Sequence, residues 1–136
     1  MYSLQSPLEN KFTPTAYVNW NKLSAAVDTA VRALDEILDY GYEMQPLDEN
    51  RECIKNWRAI GLGIMGLADM FLALGLRYGS EDSIKMAESI LHCILEEALK
   101  TSCKLAEEKG PFEKFDWTHS GRSFVRPLFS FQTYQN

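Results

Sequence analysis

The stretch Arg58-Ala59-Ile60-Gly61-Leu62-Gly63-Ile64-Met65-Gly66-Leu67-Ala68-Asp69-Met70 contains the pattern G-x-G-x-x-G at Gly61, Gly63 and Gly66. At a strand-to-helix turn this spacing lets backbone amides hold a dinucleotide pyrophosphate. That chemistry needs a buried strand before the glycines and a second parallel strand with an acidic end about 20 residues later. Here only Ala59-Ile60 precedes them, behind the polar Lys55-Asn56-Trp57-Arg58, too short and too wet for a central parallel strand. Beyond the following apolar helix, Leu74-Gly75-Leu76-Arg77-Tyr78 is the whole of any second strand. Without a βαβ unit there is no crevice for the cofactor, and the stretch reads as the start of a helix instead. Its small residues, Gly61, Gly63, Gly66 and Ala68, are expected to act in packing, letting that helix start press against neighbouring backbone.

Working outward, helical periods fill the middle of the chain. Leu23, Val27, Ala30, Val31, Leu34 and Leu38 recur at steps of three and four, opposite Lys22, Asp28, Arg32, Asp35 and Glu36. This predicts an amphipathic helix capped by Asn19 and stopped at Gly41. Pro46-Leu47-Asp48 signals a second start, and Glu49 to Trp57 a shorter, polar helix ended by Gly61 and Gly63. Residues 64–74 are apolar nearly all round, with Asp69 the single charge, so this helix should be buried on most faces and closed by a left-handed Gly75. Ser80, followed by Glu81 and Asp82, opens the longest helix. Its apolar stripe is read as Ile84, Ala87, Leu91, Ile94, Ala98, Leu105 and Ala106, and its stop as Lys109-Gly110-Pro111.

The expected class is therefore mainly α, about four helices between irregular N- and C-terminal segments. Residues 1–18 form an irregular lead-in with Pro7 and Pro14, residues 19–117 the helical segment, and residues 118–136 a tail. From Phe112 onward the aromatics Phe112, Phe115, Trp117, Phe124, Phe129, Phe131 and Tyr134 follow no period, and this part reads as extended. An apolar helix and an aromatic coil both require surfaces that so short a chain barely supplies, and large exposed apolar patches mark interfaces.

Composition narrows the partners. In 136 residues, 46% are hydrophobic and 24% charged, ordinary for one soluble globular domain. The longest apolar run, residues 60–76, is broken by Asp69 and four glycines and falls short of a membrane span. No charged-then-apolar leader follows Met1, so the expected location is the cytoplasm. A net charge of −5 disfavours nucleic acid, whose binding needs clustered Lys and Arg. Cys53, Cys93 and Cys103 are odd in number and lack metal spacing. Cys93 and Cys103 lie about 80° apart on their helix, and all three are expected to be reduced, partly buried thiols. His92 and His119 are expected to be structural or solvated.

Asn56 to Met70, with Leu74-Gly75-Leu76-Arg77-Tyr78-Gly79-Ser80-Glu81 after it, resembles the large catalytic subunit of ribonucleotide reductase. Residues 20–39 resemble a family helix reading aromatic, Lys-Leu, then Ala-Val-Arg-Ala-Leu-Asp, and Leu105-Ala106-Glu107-Glu108-Lys109-Gly110-Pro111-Phe112 matches a further family stretch. The four segments keep the family's order over about residues 19–117. The resemblance implies radical reduction of ribonucleotides to deoxyribonucleotides, on a ten-stranded α/β barrel around a finger loop bearing Asn-x-Cys-x-Glu. That motif is missing here, as are the family's redox cysteine pair, its C-terminal tyrosines and its small-residue phosphate loop. The resemblance thus assigns no catalytic, cofactor-binding or metal residue to this chain. Where the family has a cysteine-containing strand, Met1-Tyr2-Ser3-Leu4-Gln5-Ser6-Pro7 keeps only a Ser-Leu remnant. The implied reading is a fragment inactive by itself, whose partner is the remainder of the large subunit and whose exposed apolar surface drives self-association. Its parent would draw its radical from a di-metal partner subunit or from adenosylcobalamin, with neither held by this segment. The alternative is a helical interaction module without catalysis.

Overall fold

A computed structural model describes residues 17–116. It contains four helices, α1 (Trp20–Met44), α2 (Asp48–Trp57), α3 (Leu67–Ala73) and α4 (Glu81–Lys109), and no strand among the described residues. The class is mainly α as expected; no barrel is present in residues 17–116, and the irregular ends assigned to 1–18 and 118–136 lie almost entirely outside the described residues.

The caps follow side-chain chemistry. Asn19 Oδ1 accepts from the Lys22 amide at 3.0 Å at the head of α1, and Ser80 Oγ from the Ser83 amide at 3.3 Å at the head of α4. Gly41, expected to stop α1, lies inside it. The stop comes from Pro46, which disfavours helical geometry in the residue before it; Gln45 is accordingly extended, at φ −70° and ψ 125°. A helical glycine costs only about 1 kcal/mol relative to alanine, too little to end a helix otherwise well packed. Nor do Gly61 and Gly63 end α2. Arg58 does so, with left-handed backbone at φ 43° and ψ 44° and its amide donating to the Ile54 carbonyl at 3.0 Å.

α3 is shorter than the apolar run that encodes it. Gly66 adopts φ 75°, which cannot continue a helix, so residues 64–66 fall outside. Gly75, at φ 71°, closes it as expected: its amide bonds the Leu72 carbonyl at 3.1 Å and the Leu76 amide the Phe71 carbonyl at 2.8 Å, a Schellman pair. Within α3 only Phe71 is buried, its ring 6.0 Å from Tyr78. Leu72 is 68% exposed and Met65, just ahead of the helix, 99% exposed, so the expectation of burial on most faces fails within this chain.

α1 packs chiefly on α4. Val27 and Val31 meet Ile90 and Ile94, with Leu67 and Met70 of α3 alongside. The cross-links rise together along both helices, from Ser24 to Cys93, Asp28 to Thr101 and Arg32 to Glu108. The two helices therefore run parallel, and α2 and α3 belong to the return path between them. The buried line of α4 is Ser83, Ile90, Ile94 and Thr101. Ile84 and Leu91, expected in it, point away and are more than half exposed.

Candidate functional site

The densest polar cluster lies where α1, α2 and α4 converge. Asp35 and Asp39, one turn apart on α1, both face Arg58. Its Nε and Nη2 donate to Asp35 Oδ1 at 3.0 and 2.6 Å, Nη2 also to the Asp35 carbonyl at 3.2 Å, and Nη1 to Asp39 Oδ1 at 2.5 Å. From the end of α4, Lys109 Nζ donates to Asp35 Oδ2 at 2.8 Å and to Glu36 Oε1 and Asp39 Oδ2 at 2.9 Å each. Asp35, read from the helical period as part of the wet face, is 9% exposed. Arg58 and then Lys109 hold the Asp39 carboxyl below its ordinary range, and the three acceptors around Lys109, Asp35 foremost, push its ammonium up.

Oxygens of Asp35, Glu36 and Asp39 lie within 4.8 Å of one another, close enough for a cation. The Lys109 ammonium already occupies their focus, and Arg58 takes further lone pairs of the two aspartates. The cluster is an ion-pair network whose charges are spent on each other. Beside it, Val31, Trp57, Ile60, Leu105, Phe112 and Phe115 line a cleft of about 550 Å³. Phe112 lies 6.5 Å from Trp57 and meets Phe115 edge-on at 5.2 Å, so these first two tail aromatics are folded onto α2. The Lys114 amide also donates to the Asn56 carbonyl at 3.1 Å. The other tail aromatics lie outside the described residues.

The glycine stretch is not a phosphate cradle. No strand leads into it, and α3 begins only after Gly66. Gly61, Gly63, Gly66 and Ala68 are all exposed, and a Cβ added to any of the three glycines would meet nothing within 4 Å. Among the described residues, nothing crowds the side-chain position of these three glycines. Gly66 instead answers a conformational need, its positive φ. Cys53 and Cys103 are exposed rather than partly buried; Cys93 is half-buried, its Sγ 3.6 Å from Ser24 Oγ, and all three are free thiols. His92 has a carboxylate within reach, its Nδ1 lying 3.8 Å from Glu96 Oε2 one turn on; His119 lies outside the described residues.

The model of the ribonucleotide reductase barrel domain matches residues 5–136. The chain belongs to that family. The family match extends beyond residues 19–117, where the four motifs lie, into head and tail. A vitamin B12-dependent ribonucleoside-diphosphate reductase of Mycobacterium tuberculosis (strain CDC 1551 / Oshkosh) is 38% identical over 109 residues, 80% of this chain and 16% of the relative. The ribonucleoside-diphosphate reductase large subunit of Monkeypox virus is 32% identical over 124 residues, 91% of this chain and 16% of the relative. A vitamin B12-dependent ribonucleoside-diphosphate reductase of Thermoplasma acidophilum is 33% identical over 107 residues, 76% and 14% respectively. The chain thus spans about one-sixth of the length of these ribonucleotide reductases.

Residues 17–116 do not fit a cobalamin. Among them no buried side-chain nitrogen or oxygen lacks a hydrogen-bond partner. Of the four charged groups lining the aromatic cleft, Asp35, Arg58, Glu107 and Lys109, both cations are already bonded to Asp35. No described helix is long and apolar enough to cross a membrane.

Proposed function

We propose that this chain forms one helical segment of a ribonucleotide reductase large subunit, and that it contributes architecture rather than reactive groups to the reduction of ribonucleotides to deoxyribonucleotides. The observation that carries this reading is the apolar surface left uncovered beside a small core. Ile60, Leu62, Ile64, Met65, Leu72 and Leu91 are each at least 38% exposed, whereas a free-standing domain hides most such side chains. The remainder of the large subunit is the partner that would cover them, and Gly61, Gly63, Gly66 and Ala68 would meet its backbone. Residues 19–117 then act as one packing unit, flanked by 1–18 and 118–136. The relatives' names support a ribonucleoside diphosphate as the substrate of the whole enzyme, and two of the three support cobalamin as its radical source, held outside residues 17–116. A cytoplasmic location suits such an enzyme.

A chimera tests this. The matching 109-residue stretch of the Mycobacterium tuberculosis relative is replaced by the corresponding part of this chain, and ribonucleoside-diphosphate reduction is assayed with adenosylcobalamin. Reduction well above that of the relative lacking the stretch is the expected result. A chimera that folds but shows no more activity than the deletion would refute the assignment.

A further inference from the structure

Residues 59–66 run between two left-handed residues, Arg58 at φ 43° and Gly66 at φ 75°. Each of residues 59–66 is exposed, and among the described residues no backbone hydrogen bond ties 59–65 to another segment. With so little holding it, the direction of this strap is set at its ends. Gly66 adopts its conformation without steric cost; Arg58 does not, because its Cβ crowds the backbone there. It is also the one described non-glycine residue with positive φ. Strain of this kind persists only where surrounding structure over-determines it.

The determinant is visible. We propose that Asp35, Asp39, Arg58 and Lys109 form a latch that holds Arg58 in its left-handed turn and so fixes the course on which residues 59–66 leave α2. Arg58 is gripped by four charge-assisted bonds, three to Asp35 and one to Asp39. Lys109 binds the remaining oxygens of both aspartates and keeps them from turning away. The latch joins three helices at one point: α1 supplies the carboxylates, α4 the ammonium, and the C-cap residue just past α2 the guanidinium that steers the strap. Its effect is to present Ile60, Leu62 and Ile64 in one defined arrangement, whatever encloses them.

The full 136-residue chain carrying Arg58→Gly tests the latch. Glycine accepts the left-handed turn more readily than arginine, so local backbone preference alone would leave the strap as ordered or more so. The latch predicts the opposite: lower amide order parameters across 59–65 and cleavage within the strap by a broad-specificity protease at least about tenfold faster. Losing even one charge-assisted bond produces that factor when cleavage follows the open population, and the substitution removes all four. Order parameters in α1 and α4 report whether the core persists. Unchanged or slower cleavage with unchanged strap order would overturn the proposal. Should Arg58→Gly unfold the α1–α4 pair, Asp39→Asn decides instead: faster strap cleavage supports the latch and the parental rate overturns it.

Discussion

Gly66 combines a positive φ of 75° with open space where a side chain would project. Substitution there is a question of backbone strain rather than of clash. Gly66→Ala should lower the stability of the chain by about 1–2 kcal/mol, the usual cost of a left-handed non-glycine residue, and Gly66→Val by at least as much. Gly61→Ala and Gly63→Ala should be neutral or stabilising by about 0.5 kcal/mol, since neither glycine has positive φ and each has room. Denaturant unfolding of the three alanine variants checks this; a loss at Gly61 equal to that at Gly66 would contradict it. The sequence marked these glycines as special, yet not for which reason. Spacing reports that small residues recur, whereas the sign of φ depends on how the chain turns after α2. Asp35 was illegible for a similar cause. Its place among charged residues suggested solvent, and the cations that bury it arrive from positions 58 and 109. A pair of acids four apart on one helix, otherwise repelling, is the signal that could have pointed to a missing cation.

Helix existence was legible, while helix faces were less so. Asn19, Ser80, Gly75 and the Lys109-Gly110 stop act locally, and local chemistry is what a sequence displays. The parallel pairing of α1 with α4 depends on the path of α2 and α3, which no period reveals. It also moves Thr101 into the interface and leaves Leu91 facing outward. Thr101 is fully buried because its hydroxyl donates to Asp28 Oδ1 at 2.8 Å. Parallel helices place like dipole ends together, and the ion pairs between α1 and α4 oppose that repulsion. Asp28, Asp39 and Glu108 all have carboxyls held below their ordinary values, by Thr101, Arg58 and Arg32 respectively. Each binds a proton less readily folded than unfolded, so its contribution is complete above the unfolded range and is lost as pH falls through the lower folded one. Lys109 is shifted upward and has the opposite dependence: its contribution is complete below the unfolded range and is lost as pH rises through the higher folded one. Melting temperature should therefore be flat across neutral pH, fall below about pH 4, and decline again only under strongly alkaline conditions. A melting temperature that rose on acidification to pH 3 would contradict these pairings.

At the scale of the molecule, five hydrophobic residues form the buried core of residues 17–116: Val27, Val31, Phe71, Ile90 and Ile94. A larger set of apolar side chains faces outward along 60–65, α3 and one side of α4. Under the proposed assignment to a segment of a large subunit, the remainder of that subunit would cover these faces. The sequence disclosed that imbalance through its apolar helix; of the aromatic tail, Phe112 and Phe115 fold onto α2, and the rest lies outside the described residues. What it could not disclose is that the uncovered surface includes the strap itself, because residues 64–66 read as helix. The most direct measurement is sedimentation velocity of the purified 136-residue chain over a range of concentrations. The account predicts a weight-average mass that rises above the monomer with concentration as the uncovered faces find each other. A single monomeric species throughout would contradict it.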